Sequence, residues 1–269
     1  MSASSETGSD ALLADTAKDL PINILSTSKN VLKVCVHLQR PSGRTVNYTL
    51  RTETGGREPR VREDPPRRLP GYCPNRHIGG NGYFCLGFSP LDPLPVHDTK
   101  SAETWWARLW KYLALQETTT TLRRWPSNSE WAHDIAAVHQ ASAERCAATL
   151  GPRYAEALGR RRLNVRRRKN APAFLQLRDG ETRLYSVWRD ARRVATLRQH
   201  CFCGSGRALV ACGDHATSAA ELVFALLDWK RAEDEFWKSL KDQVCCGTLK
   251  DCPLKTDAPA NDDAAERAA

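Results

Sequence analysis

The sequence lacks the segments that mark membrane-spanning and exported proteins. None of its apolar runs approaches the roughly 18 residues that a membrane helix needs. The first ten residues, MSASSETGSD, contain neither a basic start nor an apolar stretch, so they do not form a secretory signal. A glycine-rich GxGxxG loop is also missing, which excludes a nucleotide site of that type. These absences predict a soluble protein, with no membrane partner, in the reducing cytoplasm.

The composition is that of a folded protein with many cysteines. Among 269 residues, 41% are hydrophobic and 26% are charged, enough for one large domain or two small ones. In a reducing compartment, ten cysteines indicate metal or thiol chemistry rather than disulfides. Six of the ten crowd into the last third of the chain, which suggests two different uses: Cys201, Cys203, Cys212, Cys245, Cys246 and Cys252.

The net charge of +9 makes an acidic partner plausible, and much of the excess lies in the run RRRLNVRRRK at 160–169. Because blocks of like charge usually stay solvated, the run predicts a basic linker between domains. The alternative is a surface that binds nucleic acid. No aromatic residue is interleaved with the arginines, so stacking on bases is not indicated.

Composition, turn residues and hydrophobic periodicity outline the elements. Strands are predicted at 31–39 and 44–53, with a turn between them and a third strand near 60–62. Helices are predicted at 102–116 and from Ser127 or Ser129 to Gly151. A hairpin at 174–188 turns at Asp179-Gly180, and a helix of about 20 residues begins at a Ser218/Glu221 capping box.

The segment LPGYCPNRHIGGNGYFCLG at 69–87 carries the clearest chemical pattern. Its Asn81-Gly82 turn followed by Phe84-Cys85-Leu86, with a Trp-bearing helix and Trp125-Pro126 downstream, resembles the catalytic segment of ubiquitin-conjugating enzymes, and especially of divergent bacterial members. The resemblance covers roughly residues 30–150. It implies that Cys85 accepts a protein C-terminus as a thioester and passes it to an amine.

The His-Pro-Asn tripeptide of that family is altered here. Aligned on the cysteine, Asn75 stands at the histidine, Arg76 at the proline and His77 at the asparagine. In the family the asparagine stabilises the oxyanion that forms when an amine attacks the thioester. Imidazole can donate a hydrogen bond or act as a base, so we hypothesise that His77 takes over this role.

Three further residues near this segment could take part. Cys73 is close enough in sequence to be a packing neighbour or a second thiol. Asp92 and His97 follow the cysteine and could assist the incoming amine. For each of them a structural role is the simpler interpretation.

The run CFCGSGRALVACGDH at 201–215 resembles the SEC-C zinc motif, which reads Cys-x-Cys-Gly-Ser-Gly before a basic stretch and a further cysteine. The resemblance implies that Cys201, Cys203 and Cys212 bind a structural zinc ion. Gly213 occupies the place of the usual fourth ligand, so His215 is the nearest substitute. Cys245, Cys246 or Cys252 could instead supply that ligand, remain unliganded, or form a second thiol site.

Together these patterns predict an α+β chain with a ubiquitin-conjugating-enzyme-like fold, in which an antiparallel meander sheet is flanked by helices, and a small zinc-binding C-terminal module. The expected divisions are a flexible tail at 1–24, the catalytic domain at 25–155, a basic linker and hairpin at 156–195, the zinc module at 196–255 and a disordered tail at 256–269.

The expected function is that of a cysteine transferase. Its cargo would be a ubiquitin-like protein or another protein C-terminal tail, supplied by a separate activating enzyme. The resemblance further implies bacterial antiphage defence of the cyclic-oligonucleotide (CBASS) type, with a cGAS-like nucleotidyltransferase as target. Two alternatives remain: a catalytically inactive adaptor with the same fold, and a basic zinc-containing protein that binds nucleic acid. Nucleic acid is a less favoured partner than a protein.

Overall fold

The computed structural model describes residues 8–40, 42–126, 130–168, 171–195, 200–201, 206–208 and 212–255. The chain divides into two compact units. The first comprises Met1–Pro126 and Leu240–Ala269, and the second comprises Ser127–Ser239. Among the described helices, none is long and apolar enough to cross a membrane.

The first unit is built on an antiparallel meander sheet. Its strands, in spatial order, are β1 (Ile22–Ser28), β2 (Val31–Gln39), β3 (Thr45–Glu53) and β4 (Arg60–Glu63). In β2 every second side chain is buried, because alternate residues of a strand point to opposite faces. The meander confirms the predicted sheet, and β1 is an additional strand that the sequence analysis did not identify.

Two helices cover the buried face of this sheet. Helix α2 (Thr99–Leu122) is capped at its N-terminus by Asp98, whose carboxylate accepts from the Ser101 amide at 2.7 Å. Its buried face contains Trp105, Trp106, Leu109 and Leu113, and the helix extends beyond the predicted 102–116 at both ends. Helix α1 (Ser9–Ala17) precedes β1 and packs against α2, where the Trp106 indole donates to the Leu13 carbonyl at 3.2 Å.

The flexible tail expected at 1–24 does not extend that far. Residues 1–7 lie outside the described part of the chain, but α1 and the start of β1 are ordered elements. Leu13 and Ala17 are fully buried in the core of the first unit. The small, polar composition of this segment did not indicate a helix, because the helix has only two buried side chains. Its stability comes from tertiary contacts.

The second unit combines a second antiparallel sheet with three helices. The helices are α3 (Ile135–Leu150), α4 (Pro152–Gly159) and α5 (Gly213–Ser239). The strands, in spatial order, are β5 (Leu163–Arg168), β6 (Ala171–Asp179), β7 (Thr182–Trp188) and β8 (Arg193–Val194). The hairpin of β6 and β7 is the predicted one, and Gly180 in its turn has a φ of +57°.

These two units do not coincide with the divisions expected from the sequence. Helix α3, assigned above to the catalytic domain at 25–155, buries Ala143, Cys146 and Ala147 in the core of the second unit. The expected zinc module at 196–255 is also divided, since 240–255 belongs to the first unit. An amphipathic helix shows in its sequence that it has a buried face, but not which core buries that face. The tail at 256–269 lies outside the described residues.

The sequence analysis expected a basic linker and hairpin at 156–195; the hairpin is present, and the expected linker is a folded part of the second unit. Part of the charged run forms β5, where Arg166 pairs with Glu181, and Arg162, which precedes this strand, pairs with Asp179 at 3.0 Å. Strand pairing therefore outweighs the repulsion between like charges. Helix α5 also begins at Gly213, which places the predicted Ser218/Glu221 capping box inside the helix instead of at its start.

Candidate functional site

The candidate site lies on a short hairpin in the first unit, between β4 and α2. This Cys85 hairpin comprises residues 77–85 and is paired at Ile78 and Phe84. The Gly79 amide donates to the Tyr83 carbonyl and the Cys85 amide donates to the His77 carbonyl, both at 2.8 Å. Its turn, Gly80–Gly82, contains positive φ angles at positions 81 and 82, which asparagine and glycine tolerate.

The hairpin presents Cys85 to solvent on a buried base. The Cys85 side chain is exposed, whereas its neighbours Phe84 and Leu86 are buried in the core. Packing around the sulfur still desolvates the thiolate and raises the pKa of Cys85, an effect that a hydrogen bond from the Gly79 amide partly offsets. A Cβ at Gly79 would lie 3.9 Å from the sulfur. Cys85 is thus an accessible thiol that stays protonated at neutral pH until a partner or base removes its proton.

His77 lies across the hairpin from Cys85. Its left-handed backbone, with a φ of +54°, ends the short turn at Pro74–Arg76 and directs its carbonyl to the Cys85 amide. The imidazole packs against Trp125, with 4.9 Å between the ring centroids. The backbone register therefore brings together the two residues that the sequence analysis selected as catalytic.

Tyr112 of α2 packs against the start of this hairpin, and the sequence analysis did not identify it as part of the site. Its buried hydroxyl donates to the carbonyl oxygens of Arg76, at 3.2 Å, and His77, at 3.1 Å. Burial raises the pKa of Tyr112 well above its ordinary value, and the neighbouring Cys85 adds to the effect, so the phenol remains a donor. The only signal in the sequence was a polar tip on the apolar face of α2.

The two residues that replace the start of the family tripeptide make structural contacts. Arg76 is 2% exposed, and its guanidinium donates to the side chains of Gln116 (2.8 Å), Thr120 (3.0 Å) and Thr248 (3.2 Å). The Asn75 amide donates to the Asp251 carbonyl at 3.4 Å. Both residues hold the segment before the hairpin in place.

The other candidates near Cys85 have contacts of their own. Asp92 forms an ion pair with Arg108 at 2.7 Å, and His97 is exposed, with its ring 3.6 Å from the Asp98 carboxylate. Cys73 is buried, and its sulfur lies 3.1 Å from the sulfur of Cys246. These contacts give Asp92 and Cys73 structural partners within the first unit.

A second candidate site, in the second unit, brings together three of the predicted zinc ligands. The ligand atoms of Cys201, Cys212 and His215 all lie within 4.8 Å of one another, and His215 Nδ1 is 3.0 Å from the Cys212 sulfur. His215 lies in the first turn of α5, where the helix dipole favours a thiolate nearby. Cys203, the fourth predicted ligand, lies outside the described residues. Two thiols and an imidazole at this spacing are a donor set that could bind zinc.

Comparison with known protein families matches both parts of the chain. The family described as "Prokaryotic E2 domain" matches residues 21–127, which contain His77 and Cys85. The family described as "Cysteine-rich domain, C-terminal to E2 domain" matches residues 132–254, which contain the Cys/Cys/His cluster. No curated protein and no solved structure matches the chain. The order and extent of the two family matches make this chain similar, over most of its length, to a prokaryotic E2-like protein with a cysteine-rich domain after its E2 domain.

Proposed function

We propose that this chain is a cysteine transferase that carries a ubiquitin-like protein, or another protein C-terminal tail, as a thioester on Cys85. The match to the prokaryotic E2 domain supports a ubiquitin-conjugating-like function at the family level. The observation that carries the proposal is the exposed thiol of Cys85, held on a hairpin whose base is buried. Such a thiol is open to a protein substrate while its backbone stays fixed.

In the loading step, the Cys85 sulfur attacks the carbonyl carbon of a thioester presented by a separate activating enzyme. A new S–C bond forms, the bond to the activating enzyme's thiol breaks, and that thiol takes up a proton. Because burial raises the pKa of Cys85, its own proton has to leave as the S–C bond forms. The high pKa also limits escape of the cargo to water, since a poorer leaving group makes a less reactive thioester.

In the discharge step, an amine of the target attacks the carbonyl carbon, the C–S bond breaks and Cys85 leaves as a thiolate. The nitrogen loses a proton, and negative charge accumulates on the carbonyl oxygen. The backbone of His77 is hydrogen-bonded to that of Cys85 across the hairpin, and on this basis the proposal assigns to its imidazole the donation to that oxygen or the uptake of the proton.

Zinc serves a structural role in this proposal. Cys201, Cys212 and His215 would hold the ion at the start of α5, with Cys203 as the fourth ligand. The context we propose is a bacterial antiphage operon, with a cGAS-like nucleotidyltransferase as the acceptor of the cargo. That context rests on the resemblance of the Cys85 segment to divergent bacterial conjugating enzymes.

The proposal is tested by recovering the chain from its native host without reducing agent and measuring its intact mass. We expect an adduct that hydroxylamine removes, that is absent from Cys85→Ala and that persists in Cys35→Ala. Cys35 is a matched control because it is a half-buried thiol of β2, away from the hairpin. If the bare mass is found in the wild type while the activating enzyme is expressed, the adaptor interpretation is favoured instead.

The role of His77 is tested separately, by following single-turnover discharge of the purified thioester to an added amine. His77→Ala should slow discharge by about 10²-fold, the typical effect of removing an oxyanion donor. Loading should change much less. His77→Asn restores the donor of the family tripeptide and should recover part of the rate; equal discharge by His77→Ala and wild type contradicts the assignment.

A further inference from the structure

The chain that follows α5 returns to the first unit and packs against the segment leading into the Cys85 hairpin. Residues 240–255 contain no long helix or strand, yet they are held by specific hydrogen bonds. Thr248 accepts from the Arg76 guanidinium at 3.2 Å, and the Lys250 amide donates to the Arg123 carbonyl at 2.8 Å. This C-terminal segment is therefore part of the framework that carries Cys85.

Four cysteines meet where the C-terminal segment contacts the chain before the hairpin. The sulfurs of Cys73 and Cys246 lie 3.1 Å apart, although these residues are 173 positions apart in the sequence. The thiols of Cys245 and Cys252 form a second pair through a hydrogen bond, and electrostatic contacts link Cys252 to Cys246 and Cys73. Cys73 and Cys252 are buried, whereas Cys245 and Cys246 are half-buried.

We propose that Cys73, Cys245, Cys246 and Cys252 form a second structural zinc site. Four thiolates are the ligand set of many closed tetrahedral zinc sites, and Zn–S bonds of about 2.3 Å place the sulfurs about 3.8 Å apart. The described structure holds the four sulfurs as two neighbouring pairs, and no three of them lie within 4.8 Å of one another. Binding requires the two pairs to close on one ion, and this adjustment would fall on residues 245–247, where the two cysteines are half-buried and Gly247 is exposed, with a φ of +70°.

The chemistry of this step balances without any oxidant. Four S–H protons pass to the solvent and four Zn–S bonds form, so that no group changes oxidation state. The resulting tetrathiolate carries net negative charge. The buried guanidinium of Arg76 is close to these thiolates: the Thr248 hydroxyl lies 3.2 Å from Arg76 and 3.0 Å from the sulfur of Cys246. Its positive charge would favour the thiolate form.

This second site is separate in its residues from the Cys201, Cys212 and His215 cluster. Zinc binding at this second site would affect the Cys85 hairpin, because the backbones of Cys73 and Ile78 form two hydrogen bonds with each other, both of 3.0 Å. Ile78 in turn pairs with Phe84, the residue before Cys85. An ion bound to Cys73 would therefore fix the base of the Cys85 hairpin, which gives it a positioning role and no part in the chemistry.

The zinc content of the purified full-length chain tests the proposal. We expect about two zinc ions per wild-type chain, and about one in either Cys246→Ser or Cys212→Ser. Cys35→Ser should retain both ions and serves as the control. A wild-type chain with one ion, whose content Cys246→Ser leaves unchanged, overturns the proposal, and so does a Cys73–Cys246 disulfide in place of metal.

A second measurement uses only the wild-type chain, so that it does not depend on a variant folding. Alkylation of individual cysteines is compared in the zinc-loaded protein before and after a chelator removes the metal. Cys245 should become at least about tenfold more reactive when zinc is removed, while Cys35, half-buried like Cys245, should not change. Equal reactivity of Cys245 in the two states overturns the proposal. Both readouts are independent of thioester formation, so they separate this site from the proposed function.

Discussion

Arg76 is the residue whose replacement should most clearly reveal how the hairpin is anchored. Its buried guanidinium donates to Gln116, Thr120 and Thr248, and Gln116 donates back to the Arg76 carbonyl at 2.7 Å. Replacement by methionine keeps most of the volume but leaves these buried acceptors without their donor. The last turns of α2, which the cation also stabilises, lose a favourable charge near the helix C-terminus.

The cost can be worked out from these contacts. Hydrogen bonds to a charged group contribute about 1.5–3 kcal/mol each, while methionine recovers part of the loss by avoiding desolvation of a charge. We therefore expect Arg76→Met to destabilise the first unit by about 3 kcal/mol. Because each 1.4 kcal/mol is a factor of ten, the opening equilibrium of that unit should rise by about 10²-fold.

Hydrogen exchange resolved by peptide is the suitable assay, because it reports on each compact unit separately. Peptides from β2 and β3 should exchange about 10²-fold faster in Arg76→Met, whereas peptides from β6 and β7 should not change. Arg57→Met is the matched control, since Arg57 is an exposed arginine of the same unit and should cost less than about 0.5 kcal/mol. Equal protection of β2 and β3 in the two variants would refute the reasoning.

Three further predictions concern the two candidate sites. Burial raises the pKa of Cys85, so the rate of its alkylation by iodoacetamide should increase with pH through a midpoint above the pKa of roughly 8.5 of an ordinary cysteine. A midpoint below that value contradicts the assigned environment. Tyr112→Phe removes the hydroxyl that donates to the carbonyls of Arg76 and His77. Hydrogen exchange of the Cys85 amide should then become about fivefold faster, equivalent to about 1 kcal/mol. An unchanged exchange rate would show that the hydroxyl does not stabilise the hairpin. His215→Ala should reduce the zinc content by one ion per chain, and His215→Cys should restore that ion. An unchanged zinc content in His215→Ala would show that His215 is not a ligand.

Local patterns in the sequence predicted the first sheet and the accessible thiol. The strand-like composition of 31–39 and 44–53 predicted β2 and β3, and the Asn81-Gly82 pair, whose residues tolerate a positive φ, predicted the turn before Cys85. The spacing of Cys85 and His77 placed them on opposite sides of that turn. These features depend on residues close together in the sequence, and for this reason they could be predicted from it.

Features that depend on distant residues could not be predicted in this way. The arginine run suggested a solvated linker, but carboxylates at Asp179 and Glu181 pair with it across the strands. Helix α3 was assigned to the wrong core, and the contact of Cys73 with Cys246 joins the two sequence segments that make up the first unit. The roles of Arg76 and Tyr112 likewise follow from tertiary packing alone. The SEC-C resemblance and the antiphage context stay predictions.

The central claim, that Cys85 carries a protein as a thioester, is tested most directly by trapping. In a Cys85→Lys variant expressed in the native host, the lysine amine should attack the activating enzyme's thioester and release its thiol. The cargo is then held as a stable isopeptide in place of the transient thioester, and intact mass and peptide sequencing would identify it. We expect an adduct on the lysine at position 85, carrying the C-terminal residues of the cargo, with Cys85→Ala as the blank. A bare mass for Cys85→Lys, in cells that express the activating enzyme, would contradict the account.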